Sequence, residues 1–262
     1  MSFTGKSPAN TYKDIIYVDN NNSGVSSSTK ALKTGEGSST LASISDRSIK
    51  LQAGTDNTKV LDVKNASGTT LLYVDSTNSQ VRALGYHVNT QYACFGVASD
   101  ISANYAANTH HPIPFAGNNQ SPTNQDNITF GTSTEPATTF TTADGAGTDA
   151  SQLVPVMWYV HDNITIDEVI SLEGATSATG DTTRMHMYSY TFTSGSTSAL
   201  TSGTLLAHNS DVTNAGSEQA YKSNWIVDSA NVASGKVILA FFRSDSVNSD
   251  YSVNITVKYH LR

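Results

Sequence analysis

Two nine-residue stretches in the first third of this chain spell nearly the same phrase. Tyr17-Val18-Asp19-Asn20-Asn21-Asn22-Ser23-Gly24-Val25 returns as Tyr73-Val74-Asp75-Ser76-Thr77-Asn78-Ser79-Gln80-Val81. Asp and Asn close turns by hydrogen-bonding their own backbone, while the flanking Tyr and Val favour extended structure. Each copy therefore predicts a strand, a turn and a second strand. Two copies predict a module built by repetition. The repeat constrains architecture, and no other feature of the chain points as clearly to a reaction.

With 262 residues the chain has room for one large β domain or two smaller ones. Charged residues supply 14% of it, against about 25% in ordinary soluble proteins, and Ser, Thr and Asn fill the difference. A net charge of −7 without any Lys/Arg-rich run argues against a nucleic-acid footprint. Cys94 is the only cysteine, so no internal disulfide forms, and a small buried apolar side chain is expected there instead of a nucleophile. The opening Met-Ser-Phe-Thr-Gly-Lys has no apolar signal stretch, which predicts synthesis in a cytoplasm without an export address. Apolar runs such as residues 237–242 are too short to span a bilayer, so no membrane insertion is expected.

Patterning along the chain predicts an all-β fold, with an N-terminal short-strand repeat module followed by a C-terminal jelly-roll-like β-sandwich. Residues 1–25 read as an extended segment, 26–84 as the repeat module and 85–262 as the sandwich, with a long loop near 117–147. Within the module, 26–39 reads as loop, whereas 48–83 shows strands of four to six residues between turns. Tyr251, Val253, Ile255, Val257 and Tyr259 alternate with polar residues, which marks a half-buried strand. Residues 237–242 are apolar on both faces and suit a central strand. Residues 153–160, 164–172 and 185–192 supply three more strands, and no segment shows helical periodicity.

Side chains that might carry chemistry are scattered. His110 and His111 are adjacent, and neighbours on a strand point to opposite faces, which suits one metal poorly. His87, His161, His186, His208 and His260 show no ligand spacing, so structural or surface roles are expected for each. Asp162, Asp167 and Glu168 share one segment, Asp144 and Asp149 another, and both sets read as solvated turn residues. No nucleophile elbow, phosphate loop or dinucleotide fingerprint occurs. Asp19-Asn20-Asn21-Asn22 lacks the Gly and terminal Glu of a calcium loop. No cofactor is expected. In a strand at 185–192, Tyr188, Tyr190 and Phe192 share one face and Met185, Met187 and Ser189 the other, and packing in the core or an oligomer interface is expected over an exposed ligand-binding face.

Lys6-Ser7-Pro8-Ala9-Asn10-Thr11-Tyr12-Lys13-Asp14-Ile15-Ile16 resembles the start of fibre-type or head-decoration virion structural proteins of marine tailed phages. The run Val60-Leu61-Asp62-Val63 through Asn65, Gly68, Leu72, Val74-Asp75, Asn78, Val81 and Ala83 is similar to repeats in such proteins. The resemblance covers about residues 6–85. It implies a homotrimer, a virion-bound N-terminus, an outward C-terminus and no catalytic residues. Pro8, Tyr12, Ile15 and Ile16 are the expected virion-anchoring residues, and Leu61, Val63, Leu72, Val74 and Val81 the expected oligomer core. Expected partners are other capsid or tail proteins and a host surface glycan or protein. Two rival readings belong to other classes: a receptor- or glycan-binding head of a tail fibre, and a polysaccharide depolymerase, which needs a carboxylate-lined groove.

Overall fold

A computed structural model describes residues 16–21, 23–97, 106–116, 128–143, 148–246 and 250–262. The chain is all-β, with 52% of it in strands. It divides into two units, Met1–Val88 and Asn89–Arg262.

The first unit contains two antiparallel four-stranded meanders that share no strand. Strands β1 (Ile16–Val18), β2 (Lys30–Thr34), β3 (Ser39–Ile44) and β4 (Ile49–Leu51) form one. Strands β5 (Leu61–Lys64), β6 (Thr70–Asp75), β7 (Gln80–Ala83) and β8 (Tyr86–His87) form the other. The two copies of the sequence phrase fall at different places in these sheets. Tyr17 and Val18 end the edge strand β1, whereas Tyr73, Val74 and Asp75 end the inner strand β6. In the second copy the Asp75 carboxylate accepts the Asn78 backbone N–H at 2.9 Å and its side-chain amide at 2.8 Å. Those bonds hold the Asp75 carboxyl below the usual carboxylate range and close a tight hairpin into β7. The first copy closes its turn through Asn20, whose amide reaches the Gly24 carbonyl at 2.8 Å, but β2 does not begin until Lys30. Val25 therefore lies in the connection, and the expected loop at 26–39 contains a strand. Pairing on both sides holds β2 extended despite its two lysines, since sheet context outweighs weak local propensity.

The second unit begins with β9 (Thr90–Val97), β10 (His111–Ile113), a one-turn helix α1 (Ala150–Leu153) and β11 (Trp158–Tyr159). The long strands β12 (Ile164–Thr176), β13 (Thr182–Phe192) and β14 (Leu200–His208) follow. Next come β15 (Val212–Thr213), β16 (Glu218–Asn224), β17 (Ile226–Val227) and β18 (Asn231–Val232). Strands β19 (Lys236–Ser244) and β20 (Asp250–Leu261) end the unit. Seven strands form one antiparallel sheet, ordered β10-β19-β13-β14-β17, with β11 beside β19 and β15 beside β13. Five form the other, ordered β16-β12-β20-β9, with β18 beside β12. The chain passes back and forth between the sheets, as in a jelly roll. The segment at 153–160 is mostly not strand. Pro155 sits in a 3₁₀ turn over Val154–Val156, where its fixed φ and missing N–H fit a helical first turn, and only Trp158–Tyr159 pairs with the sheet.

Two cores result. Between the sheets lie Phe95, Ile166, Val169, Met185, Met187, Ile238, Ala240, Phe242, Val253, Ile255 and Val257. On the opposite face of the seven-stranded sheet, Tyr188, Tyr190, Val237, Leu239 and Phe241 are covered by Ile128, Phe130, Phe140, Leu153 and Val156. Strand β19 thus alternates between two cores and is buried on both faces, as its unbroken apolar run requires. Each fully buried side chain of this size contributes about 1.5–3 kcal/mol. The tyrosine face is sealed by the chain's own segment, not by solvent or an oligomer. Cys94 departs from expectation as well: it is exposed, because Ala93 and Phe95 on either side of it in β9 point into the sandwich.

Candidate functional site

Residues directly opposite in an antiparallel ladder share a face. In the second meander the registers Leu61↔Val74, Val63↔Leu72, Val74↔Val81 and Leu72↔Ala83 therefore place all five expected oligomer-core residues on one face. Its other face carries Asp62, Tyr73, Arg82 and His87. There Lys64 and Lys59 approach the Asp62 carboxylate to 3.3 and 3.6 Å, and Arg82 lies 2.9 Å from the His87 ring. The first meander repeats the division. Registers Val18↔Leu32, Lys30↔Ile44, Ile44↔Ile49 and Ala42↔Leu51 set Val18, Leu32, Ile44, Ile49 and Leu51 on one face. This second apolar face was hidden in the sequence because β2 reads as loop.

None of these ten side chains is fully buried, and Ile49 is 76% exposed. Every fully buried apolar side chain among the described residues lies at Ala93 or beyond. Of the anchoring residues, Ile16 opens β1 and is exposed, whereas Pro8, Tyr12 and Ile15 lie outside the described residues.

The second unit brings together histidines that the sequence keeps apart. His110 and His186 are fully buried, with ring centroids 5.1 Å apart, and His208 lies 6.3 Å from His186 on the other side. The His110 Nε2 lies 2.9 Å from the Ser133 carbonyl. Glu135, from the covering segment, accepts the Tyr188 hydroxyl at 2.9 Å and lies 4.0 Å from Arg184. Its carboxylate is also 3.2 Å from His186 Nε2, but off the direction a hydrogen bond needs, so neither ring nitrogen of His186 has a hydrogen-bond partner among the described residues. Burial first, then His110 and Arg184, pushes the His186 imidazolium down to about 3. Burial likewise lowers His110, and lowers His111 to about 4. Both residues of the His110-His111 pair are thus interior. Two guanidinium groups beside this cluster oppose a bound cation, so it does not suit a metal.

The acidic residues do not assemble with it. Asp162 is exposed, Asp167 sits 2.9 Å from His260 Nδ1, and Glu168 faces Lys258 across the ladder. Asp149 precedes α1 without capping it through its side chain, and Asp144 lies outside the described residues. The carboxylate that reasoning from sequence missed is Glu173, 2% exposed between the sheets, where Thr183 donates a 2.7 Å hydrogen bond across the sandwich. Burial pushes Glu173 up to about 7. A depression on the outer face of the five-stranded sheet is lined by Gly174, Thr176, Glu218, Gln219, Ala220 and Ser252. It holds no pair of convergent acid and base.

No protein-family model matches the chain, and no curated protein matches it by sequence. Among solved structures it is similar to an aminopeptidase from a marine sediment archaeon, Thaumarchaeota archaeon, at 9% identity and a TM-score of 0.31. The match covers 72% of this chain and 40% of that one. At that level of similarity nothing about activity transfers.

Proposed function

We propose that this chain is a non-enzymatic structural protein of a phage virion, a fibre or capsid decoration, that assembles as a homotrimer through its first unit. The observation that carries the reading is the pair of one-sided apolar sheets in a unit whose described residues include no fully buried apolar side chain. At about 1 kcal/mol for each half-exposed side chain, ten of them rival the roughly 5–15 kcal/mol that stabilises a whole domain. Such a unit is stable when copies of itself supply the missing layer. The N-terminal segment through Ile16 anchors the trimer to other virion proteins, and the sandwich faces outward. Sedimentation of the purified chain at micromolar concentration is expected to give a three-chain particle, and mass spectrometry of purified virions is expected to find the chain. A stable monomer overturns the assembly, and absence from virions overturns the assignment.

A further inference from the structure

The segment 128–143 is a cover in its own right. Hydrogen bonds spread along its length hold it to the sandwich, among them the Thr142 N–H donating to the Thr197 carbonyl at 2.6 Å and the Tyr188 hydroxyl to Glu135 at 2.9 Å. Phe130 and His110 exchange backbone contacts, with the Phe130 N–H donating to the His110 carbonyl at 2.9 Å and the His110 N–H to Gly131 at 3.0 Å. Phe140 pairs with Leu200, Gly203 donates to the Thr138 carbonyl at 2.8 Å, and the Tyr190 hydroxyl donates to Ala137 at 2.8 Å. Gly203 is required at its place, since a Cβ there would come within 2.8 Å of Thr138 Cα and 2.7 Å of the Tyr190 ring. Beneath the cover lie the aromatic side chains Tyr188, Tyr190 and Phe241.

At one end of this cover the packing is polar and crowded with titratable groups. His186 is faced by Arg184 and Tyr188 of its own strand, His208 from β14, Arg243 from β19, His110 from the residue before β10, and Glu135 from the cover. His111, also buried, follows His110 and receives the Ala106 N–H at 3.2 Å. The other acids are engaged: Asp211 lies 3.6 Å from Arg184, and Asp228 lies 2.8 Å from His208. Arg243 donates to Asn108 at 2.7 Å, and its Nε, like that of Arg184, has no hydrogen-bond partner among the described residues. A proton placed on His186 enters a fully buried position facing the Arg184 and Arg243 guanidinium groups, and one placed on His110 a buried position facing that of Arg243. Water relieves it only if the cover lifts.

We propose that segment 128–143 is an acid-released cover, which protonation of His110 and His186 beside Arg184 and Arg243 loosens from the seven-stranded sheet to expose the aromatic face around Tyr188, Tyr190 and Phe241. The sign follows from linkage. Both imidazoles are held neutral in the closed state and regain an ordinary value near 6.5 when exposed. The closed state therefore keeps its full advantage above about pH 6.5 and loses it as pH falls toward the closed-state values. Each histidine raises the opening constant up to about tenfold per pH unit over that window, so the two together raise it up to about a hundredfold.

Hydrogen exchange of the full chain, corrected for intrinsic rates and followed from pH 7.5 to 4.5, tests this. Peptides from 128–143 are expected to lose at least tenfold protection below pH 6.5 while those from β20 keep theirs, and a dye for apolar surface brightens over the same range. The His186→Gln variant should halve the slope of this acid dependence on a logarithmic scale. Protection of 128–143 that does not change with pH overturns the proposal, and so does loss of 128–143 and β20 in one step. If His186→Gln does not fold, NMR titration of the wild-type histidines decides: His110 and His186 signals that titrate near 6.5 in a closed protein overturn the proposal, and signals that titrate far lower support it.

Discussion

The two units treat the same problem differently. A β-sheet with one apolar face needs a second layer. The unit from Asn89 onward supplies that layer twice from its own chain, once by facing two sheets and once by laying residues 128–143 and 148–156 over the seven-stranded sheet. The unit ending at Val88 builds two sheets, each with an apolar face, and buries neither completely. Of sixteen exposed large hydrophobic residues among those described, eleven lie in the smaller first unit, from Ile16 to Val88. Hydrophobicity of the strands is alike in both, so what separates the units is where the covering layer comes from. One unit is self-sufficient in this respect, and on the proposed assembly other copies supply the layer to the other.

If that contrast is right, a charge placed on each kind of face has different consequences. Ile255→Asp puts a carboxylate into the closed core of the sandwich, where Ile255 is fully buried. An uncompensated buried charge of this kind costs more than about 4–5 kcal/mol. Circular dichroism and thermal melting are expected to show loss of the sandwich at any protein concentration; a cooperative melt near the wild-type midpoint breaks the claim that this core is closed. Leu72→Asp changes a half-buried residue on an open face. It is expected to abolish association and the concentration dependence of melting while the sandwich melts as before. Survival of the assembly with Leu72→Asp removes Leu72 and its face from the interface.

A smaller effect tests the interior of the closed unit by pH. Glu173 has its folded value raised to about 7 against an ordinary 4.5. Between those values the folded state holds a proton that the unfolded state has released. Its contribution is therefore most favourable below about pH 4.5 and is lost as pH rises through about 7. Glu173→Gln keeps an acceptor for the Thr183 hydroxyl and removes the charge. We expect a gain on the order of 3 kcal/mol at pH 8 and almost none at pH 4.5, from denaturant unfolding at both values. This trend runs opposite to that of His110 and His186, whose range overlaps it, so the two partly cancel between about pH 4.5 and 6.5.

Legibility in the sequence followed the same divide. Strand β20 was plain, since Tyr251, Val253, Ile255 and Val257 all point inward at period two. The doubly apolar run of β19 announced its central place. The second meander's apolar face was legible too, because Leu61, Val63, Leu72, Val74 and Val81 keep strand parity across tight turns. The first was not, because its long connection through Asn20 and Gly24 hides which residue begins β2. The cover was missed because Ile128, Phe130 and Phe140 follow no period; they pack as single plugs from irregular backbone. The polar cluster was missed for a related reason. His110, Glu135, His186 and His208 meet only after four separate segments are folded, and no spacing along the chain records that. Repetition in sequence also misled in detail, since matching Tyr-Val-Asp phrases end an edge strand in one sheet and an inner strand in the other.

The least disruptive change probes a face of the sandwich that the described residues leave open. The seven-stranded sheet is covered on both sides, but the five-stranded sheet shows Tyr92, Cys94, Leu172, Lys222 and Asn254 outward. Cys94 stands opposite Thr256, and its side chain contributes nothing to the core formed by Ala93 and Phe95 beside it. Cys94→Ser replaces one exposed small polar side chain by another, so its effect on stability is expected within about 0.5 kcal/mol. A thiol reagent should label Cys94 in the native protein at a rate close to that in denaturant, with the sandwich remaining folded. Reaction only after unfolding would mean that this face too is covered, and the contrast between the sheets would have to be redrawn.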